Sequence, residues 1–234
     1  MTEKTIHRLA ILGTGDTPDG GIILPQPLND SEKAFHPELL EVPKSIFPDS
    51  LSARKICVSA YYETGLGAEY KGYDGIYINT VGDYGLSELR RNCNIPVTGA
   101  GEGSIKTALQ SGETFSIVTI WPPSMRFIYD EVLSYCDAVK NCLSIHHLSK
   151  DSDLSTLGET DNFVKKMQSC GLTSMNNIRQ SCEESLNKDH AETIILGCTC
   201  MNPVGAILVK EGFPVIEPMV TGYQYLKKLI KQHM

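Results

Sequence analysis

The chain has no apolar run long enough to span a bilayer, so an integral helical membrane protein is not expected. It also lacks any Lys/Arg-rich run. Its 21 basic residues are outnumbered by 28 acidic ones, for a formal net charge of -7. A mildly acidic surface of that kind suits a nucleic-acid backbone poorly, so no nucleic-acid partner is expected. The opening residues, MTEKTIHRLAILG, lack the basic region, long apolar stretch and small-residue cleavage site of a secretory leader. The expected location is therefore cytoplasmic. Of the 8 cysteines, only Cys198 and Cys200 form a close pair. No second pair follows at structural-zinc spacing, so no metal is expected. Without a leader, reduced thiols are expected in place of a disulfide framework. His146 and His147 are neighbours, and neighbours on a strand point to opposite faces, so they should not converge on an ion.

What is present is an alternation of apolar runs with helix-like segments. The 234 residues, 41% of them hydrophobic, can bury one large core or two smaller ones. Strands are expected at 8–12, 54–60, 75–80, 95–98, 114–120, 142–147, 193–198 and 214–216. Helices are expected at 86–92, 102–111, from Ser124 as cap to about 139, within a polar region at 160–189, at 203–211 and at 218–232. Residues 25–50 contain Pro25, Pro27, Pro37, Pro43 and Pro48 and read as a surface excursion with one short helix. Such alternation predicts an α/β fold with mostly parallel sheets and helices on both faces.

The densest chemical signal is ETIILGCTCMNPVG, residues 192–205. A β-rich run ends at Gly197-Cys198, and a helix start is expected near Pro203. A thiol there sits beside the unsatisfied N–H groups of a helix start. That favours thiolate over thiol and attracts a bound carboxylate. Cys200, if the strand continues, points the other way and is structural. The halves of the chain also echo each other. DGIYINTVGDYGL (74–86) parallels ETIILGCTCMNPV (192–204), with Thr80 in the place of Cys198. IPVTGAG (95–101) parallels FPVIEPM (213–219). Facing halves would put Thr80 and Cys198 on opposite sides of a cleft at the carboxyl ends of strands, where open α/β folds bind ligands. Gly99-Ala100-Gly101-Glu102-Gly103 superficially fits a dinucleotide loop. No acidic residue ends a following strand about twenty residues on, so a tight turn is the better reading and no nucleotide cofactor is expected.

INTVGDYGL, GAGEGS, TFSIVTIWPP, ILGCTCM and PVIEPMV, in that order, resemble the aspartate/glutamate racemase superfamily, and within it the hydantoin and allantoin racemase branch. The resemblance spans most of 75–225 and fades over the first 70 residues. It implies two pseudo-symmetric three-layer α/β domains, here 1–98 with 205–234 and 99–204, with the active site in the cleft between them. It also implies cofactor-independent chemistry. Two cysteines flank an acidic carbon, one taking the proton as thiolate and the other supplying one from the opposite face. The second cysteine falls on Cys198 and the first on Thr80, which is a departure. An early asparagine-containing loop falls on Gly13 and Thr14 without its asparagine.

The expected activity is thus a racemase- or epimerase-like proton transfer on a small amino acid or hydantoin-like derivative. The partner would be a small-molecule carboxylate or cyclic amide, and the protein a homo-oligomer. A one-cysteine decarboxylase or lyase, or a binding protein on the same scaffold, remains open. Cys198 and Thr80 are the candidate catalytic residues. Gly82 and Asp83 would bind substrate through backbone N–H groups, unless Asp83 is only a helix cap. Thr119 and Thr199 are candidate contacts, the first equally a plain strand residue. Glu102 either faces the substrate or merely begins a helix. Trp121 walls the pocket or packs beneath the Pro122-Pro123 turn.

Overall fold

Two short strands at the centre of each half organise the molecule. The computed structural model describes residues 6–13, 24–29, 32–157 and 175–233. In the first sheet, β1 (His7–Gly13) pairs in parallel with β2 (Phe35–Glu41) on one side and β3 (Gly75–Ile78) on the other. β4 (Val97–Gly99) lies beyond β3. In the second, β5 (Phe115–Thr119) lies between β6 (Cys142–His147) and β7 (Thr193–Leu196), with β8 (Val215–Ile216) beyond β7. The strand orders are β2-β1-β3-β4 and β6-β5-β7-β8, one arrangement built twice. β3, β5 and β7 are buried throughout. This explains their nearly unbroken apolar sequences, as expected for parallel strands covered on both faces.

The repeat extends to details. Asp74, just before β3, accepts the Arg8 N–H at 2.8 Å. Glu192, just before β7, accepts the Glu113 and Thr114 N–H groups at 2.5 and 3.0 Å. Each carboxylate ties the entry of one central strand to the start of its neighbour.

Helices α1 (Leu51–Tyr70) and α2 (Leu86–Asn92) cover the outer face of the first sheet, packing Cys57, Ala60 and Leu89 against Leu12 and Ile78. The Ser50 hydroxyl caps α1 by accepting the Ala53 N–H at 3.2 Å. After β4 comes α3 (Ala100–Ser111), then α4 (Phe127–Tyr135) after β5 and the short α5 (Leu154–Leu157) after β6. α6 (Met175–Asn187) precedes β7, α7 (Asn202–Lys210) follows it, and α8 (Pro218–His233) follows β8.

The connection between halves is an exchange. α3 leaves the first sheet and packs on β7 and β8, whereas α8 leaves the second and packs on β3 and β4. The two helices cross backbone to backbone. A Cβ on Gly103 would lie 2.6 Å from the Gly222 Cα, so neither position admits a side chain without movement. Tyr77 of β3, fully buried, donates its hydroxyl proton to the Met219 carbonyl at 2.7 Å.

Several expectations are corrected. Residues 54–60 are helical, inside α1. Their apolar run is short enough to fit either period, and the Ser50 cap and the sheet face beneath decide for helix. The 25–50 excursion contains β2, with Pro37 inside it. An edge strand tolerates proline because one side of its ladder is unpaired. Ser124 does not cap a helix; its N–H goes to Asp151 Oδ1 at 2.9 Å and α4 begins at Phe127. Val215 and Ile216, beyond residue 205, pair with β7 in the second sheet. Of the polar region 160–189, α6 accounts for 175–187, and 158–174 lies outside the described residues. His146 and His147 do diverge, toward Asp189 Oδ2 at 2.7 Å and the Trp121 carbonyl at 2.9 Å.

Candidate active site

The carboxyl ends of β3 and β7 meet. Beyond β3, the Asn79 N–H bonds to the Leu12 carbonyl at 2.8 Å; beyond β7, the Gly197 N–H bonds to the Val118 carbonyl at the same 2.8 Å. Across the gap, Thr199 donates its hydroxyl proton to the Asn79 carbonyl at 3.4 Å. The loops that carry Thr80 and Cys198 therefore face each other. On the first side, the Thr80 hydroxyl and Asn79 Oδ1 are buried without a hydrogen-bond partner among the described residues. A buried polar atom left unmet costs about 1–3 kcal/mol, so two adjacent ones mark a place shaped for something other than stability. Gly13 ends β1 beside Asn79; a Cβ there would lie 3.4 Å from the Asn79 Cβ. Thr14 lies outside the described residues.

On the second side the strand stops at Leu196, and Thr199–Met201 form a 3-10 turn that runs into α7. Pro203 sits in the first turn of α7, where a missing N–H is harmless. The turn brings the Cys200 N–H onto Cys198 Sγ at 3.3 Å. The turn also corrects two expectations. Alternation of side chains ends with the strand, so Cys200 does not point away. Its sulfur lies on that of Cys198, the two paired as a disulfide, and not all the thiols are reduced.

Thr119 is fully buried and belongs to a chain of donors behind Cys198. Tyr129 donates its single hydroxyl proton to the Gly197 carbonyl at 2.8 Å. Thr119, 2.5 Å from the Tyr129 oxygen, must then be the donor between them. Its own oxygen accepts the Trp121 N–H at 3.2 Å. Gly197 is pressed against this pair, and a Cβ there would fall 2.3 Å from the Thr119 Cβ. Thr119 thus holds the peptide before Cys198 and does not offer a free hydroxyl. Burial raises the Tyr129 hydroxyl well above its ordinary pKa, keeping it a neutral donor. Sequence reasoning missed Tyr129; it lies on α4 in FIYDEVLSY, where no spacing distinguishes it from a core aromatic. Trp121 packs against Phe47, ring centroids 5.3 Å apart.

Asp83 and Glu102 are engaged within the protein. The Asp83 carboxylate accepts the Gly101 and Glu102 N–H groups at 2.9 and 2.6 Å and the Tyr135 hydroxyl. It therefore caps α3 from the loop after β3, and its own N–H closes a turn onto the Thr80 carbonyl at 3.3 Å. Burial pushes its carboxyl up to about 7, against the pull of those three donors. Glu102 is bound to Arg90 by a two-oxygen ion pair and accepts the Thr98 hydroxyl at 2.7 Å. The Asp83 carboxylate thus ties the loop that carries Thr80 to α3, and the Glu102 carboxylate ties α2 to β4. At Gly82 a Cβ would meet the Tyr84 ring at 2.6 Å. Among the described residues, no three His, Cys, Asp or Glu side chains converge as a metal ion would require.

Residues 36–226 match the Asp/Glu/Hydantoin racemase family. The chain belongs to this family. As a member of the Asp/Glu/hydantoin racemases it is 30% identical over 163 residues to a hydantoin racemase of Pseudomonas sp. (strain NS671), covering 69% of this chain and 60% of that one. A hydantoin racemase of Paenarthrobacter aurescens is 28% identical over 158 residues, covering 67% and 61%. The match therefore spans about three fifths of the length of these relatives. The fold is that of an allantoin racemase from Klebsiella pneumoniae (TM-score 0.72, 20% identity, 97% of this chain and 89% of that one). It is also shared by an arylmalonate decarboxylase (TM-score 0.60, 10% identity, 95% and 92%). The two-sheet architecture is thus shared with these structures.

Proposed function

We propose that the protein is a cofactor-independent, racemase-like isomerase that moves the α-proton of a small amino-acid derivative, most suitably a hydantoin-like cyclic amide. The observation that carries this reading is the meeting of the two strand ends, with Thr199 bonded to Asn79 and the Thr80 hydroxyl left unpartnered. A carbon acid placed between them would have a sulfur on one face and a hydroxyl on the other. In its reduced form Cys198 takes the proton as thiolate. The carbanion delocalises into the adjacent carbonyl, where nearby donors lower its energy. Thr80 supplies a proton or holds the substrate on the opposite face. An aliphatic hydroxyl is a very weak base, so proton removal is expected from the Cys198 side only.

The same asymmetry favours a second reading. A single thiol suffices to protonate a carbanion left by loss of carbon dioxide, and an arylmalonate decarboxylase shares the fold. A homo-oligomeric, cytoplasmic enzyme goes with the primary reading and is checked by light scattering and cell fractionation. Among the described residues no helix is long and apolar enough to cross a membrane.

The test is α-proton exchange in deuterated water, followed by NMR, for the reduced protein with both enantiomers of several hydantoins, of aspartate and glutamate, and with an arylmalonate. Exchange on hydantoins supports the racemase-like reading. Product from the malonate alone replaces it with the decarboxylase. Silence with every substrate, while the fold is intact by circular dichroism, favours a binding protein or a substrate outside this panel.

A further inference from the structure

Cys200 takes no part in the proton transfer proposed above, yet its sulfur lies on the reacting thiol. The placement follows from the backbone. The strand ends at Leu196 and the 3-10 turn brings residues two apart onto one side, with 5.2 Å between the Cα atoms of Cys198 and Cys200. Ordinary disulfides span roughly 4.4–6.8 Å between Cα atoms. Both residues are half-buried, so neither sulfur is sealed in the core. In the paired form the Cys200 N–H lies 3.3 Å from Cys198 Sγ, and the thiolate of a reduced cysteine is the form that peroxides oxidise.

The other described cysteines are built differently. Cys57, Cys93, Cys136, Cys142 and Cys182 are unpaired. Burial pushes the Cys136, Cys142 and Cys182 thiols up to about 12, which keeps them protonated and unreactive.

We propose that Cys198 and Cys200 form a reversible modification site, oxidised by a hydroperoxide to a disulfide that withdraws the Cys198 thiolate from the active site. The effect on catalysis rests on the reading of Cys198 as the acid/base; the bond itself does not. The Cys198 thiolate attacks the outer peroxide oxygen, the O–O bond breaks, and the remaining oxygen takes up a proton and leaves as an alcohol or water. Cys198 is then a sulfenic acid. Cys200 loses its proton and attacks that sulfur, the S–O bond breaks, and hydroxide leaves with the proton as water. Two thiols are oxidised by two electrons and one peroxide is reduced. A dithiol reductant reverses the change by exchange through a mixed disulfide. The disulfide sulfur has no basic lone pair able to take a carbon-bound proton, so oxidation stops exchange without occupying the cleft with a ligand.

The experiment compares the reduced protein with its Cys200→Ser variant after stoichiometric hydrogen peroxide, by intact mass and by peptide mapping with an alkylating agent. Wild type is expected to lose two hydrogens, with Cys198 and Cys200 in one peptide protected from alkylation. Dithiothreitol should restore both thiols and the exchange rate together. Cys200→Ser should instead gain oxygen at Cys198. The proposal is overturned if wild type gains oxygen at Cys198 while Cys200 stays alkylatable, or if Cys198 is linked to another cysteine. A disulfide that forms and reverses in a protein showing no exchange in any state would support the modification site and overturn the racemase reading.

Discussion

The two halves carry the same strand order and the same entry carboxylates, yet they end in different chemistry. After β3 the loop turns tightly, Asp83 reaches over to cap α3, and Thr80 is left with an unpartnered hydroxyl. After β7 the loop becomes a 3-10 turn, an N–H falls on the Cys198 sulfur, and a second sulfur lies beside it. The cap of α8 comes from its own loop, where Glu217 accepts the Met219 and Val220 N–H groups, both at 2.9 Å. One scaffold thus presents a hydroxyl on one side and a pair of sulfurs on the other. The repeated strand order sets where these groups stand, and the few residues after each strand set which groups they are.

Five substitutions break or sharpen that comparison. The largest effect is expected from Cys198→Ala, which should cut α-proton exchange by about 10²–10⁴-fold, the range a positioned acid or base contributes. NMR exchange on the reduced protein measures it, and a variant that keeps its rate would remove Cys198 from the mechanism. Thr80→Cys makes the halves chemically alike. It should raise exchange from the opposite enantiomer by about 10²-fold, the low end of the same range. No gain would mean that Thr80 does not face the reacting carbon. Asp83→Ala leaves two N–H groups and the Tyr135 hydroxyl unmet and should cost about 2–3 kcal/mol in urea unfolding. Glu217→Ala, at the partly buried counterpart, should cost about 1 kcal/mol. Tyr129→Phe deprives the Gly197 carbonyl of its donor. A loss of about 1 kcal/mol is expected, with kcat falling more than KM changes if the chain positions Cys198.

The caps also predict a pH dependence. The Asp83 carboxyl is raised to about 7 by burial, so the folded state binds its proton more tightly than the unfolded chain. Its contribution to stability is full below the ordinary carboxylate value of about 4 and is lost as the pH rises through about 7. Glu217 is raised for the same reason and acts in the same direction. Unfolding midpoints in urea should therefore fall from pH 4.5 to 7.5 by this contribution, and Asp83→Asn should flatten the slope. An unchanged slope in Asp83→Asn would assign the proton elsewhere.

What was legible in the sequence follows from the strength of local signals. The helix at 86–92, the strand at 142–147 and the final helix carry one period each, and the structure agrees. The echo of 74–86 in 192–204 was enough to put Thr80 and Cys198 at equivalent strand ends. α1 was misread because a short apolar run fits two periods, and β2 because proline argues against strands unless the edge position is known. Cys200 was misassigned by extending the alternation of β7 past Leu196. The roles of Asp83 and Glu102 depend on partners distant in sequence or on neighbouring loops, and Tyr129 reaches Gly197 across 68 residues. Such pairings leave no local pattern to read.

The exchanged helices α3 and α8 bear on how the chain reaches this state at all. Each sheet's inner wall is supplied by the other half, so neither half made alone would close its own core. The Tyr77 hydroxyl meets its carbonyl partner 142 residues further along. Contacts of that separation carry a large loop-closure entropy and slow the search for the folded state. The halves should melt in one transition, and a chain cut between β4 and β5 should recover its structure only when both fragments are present.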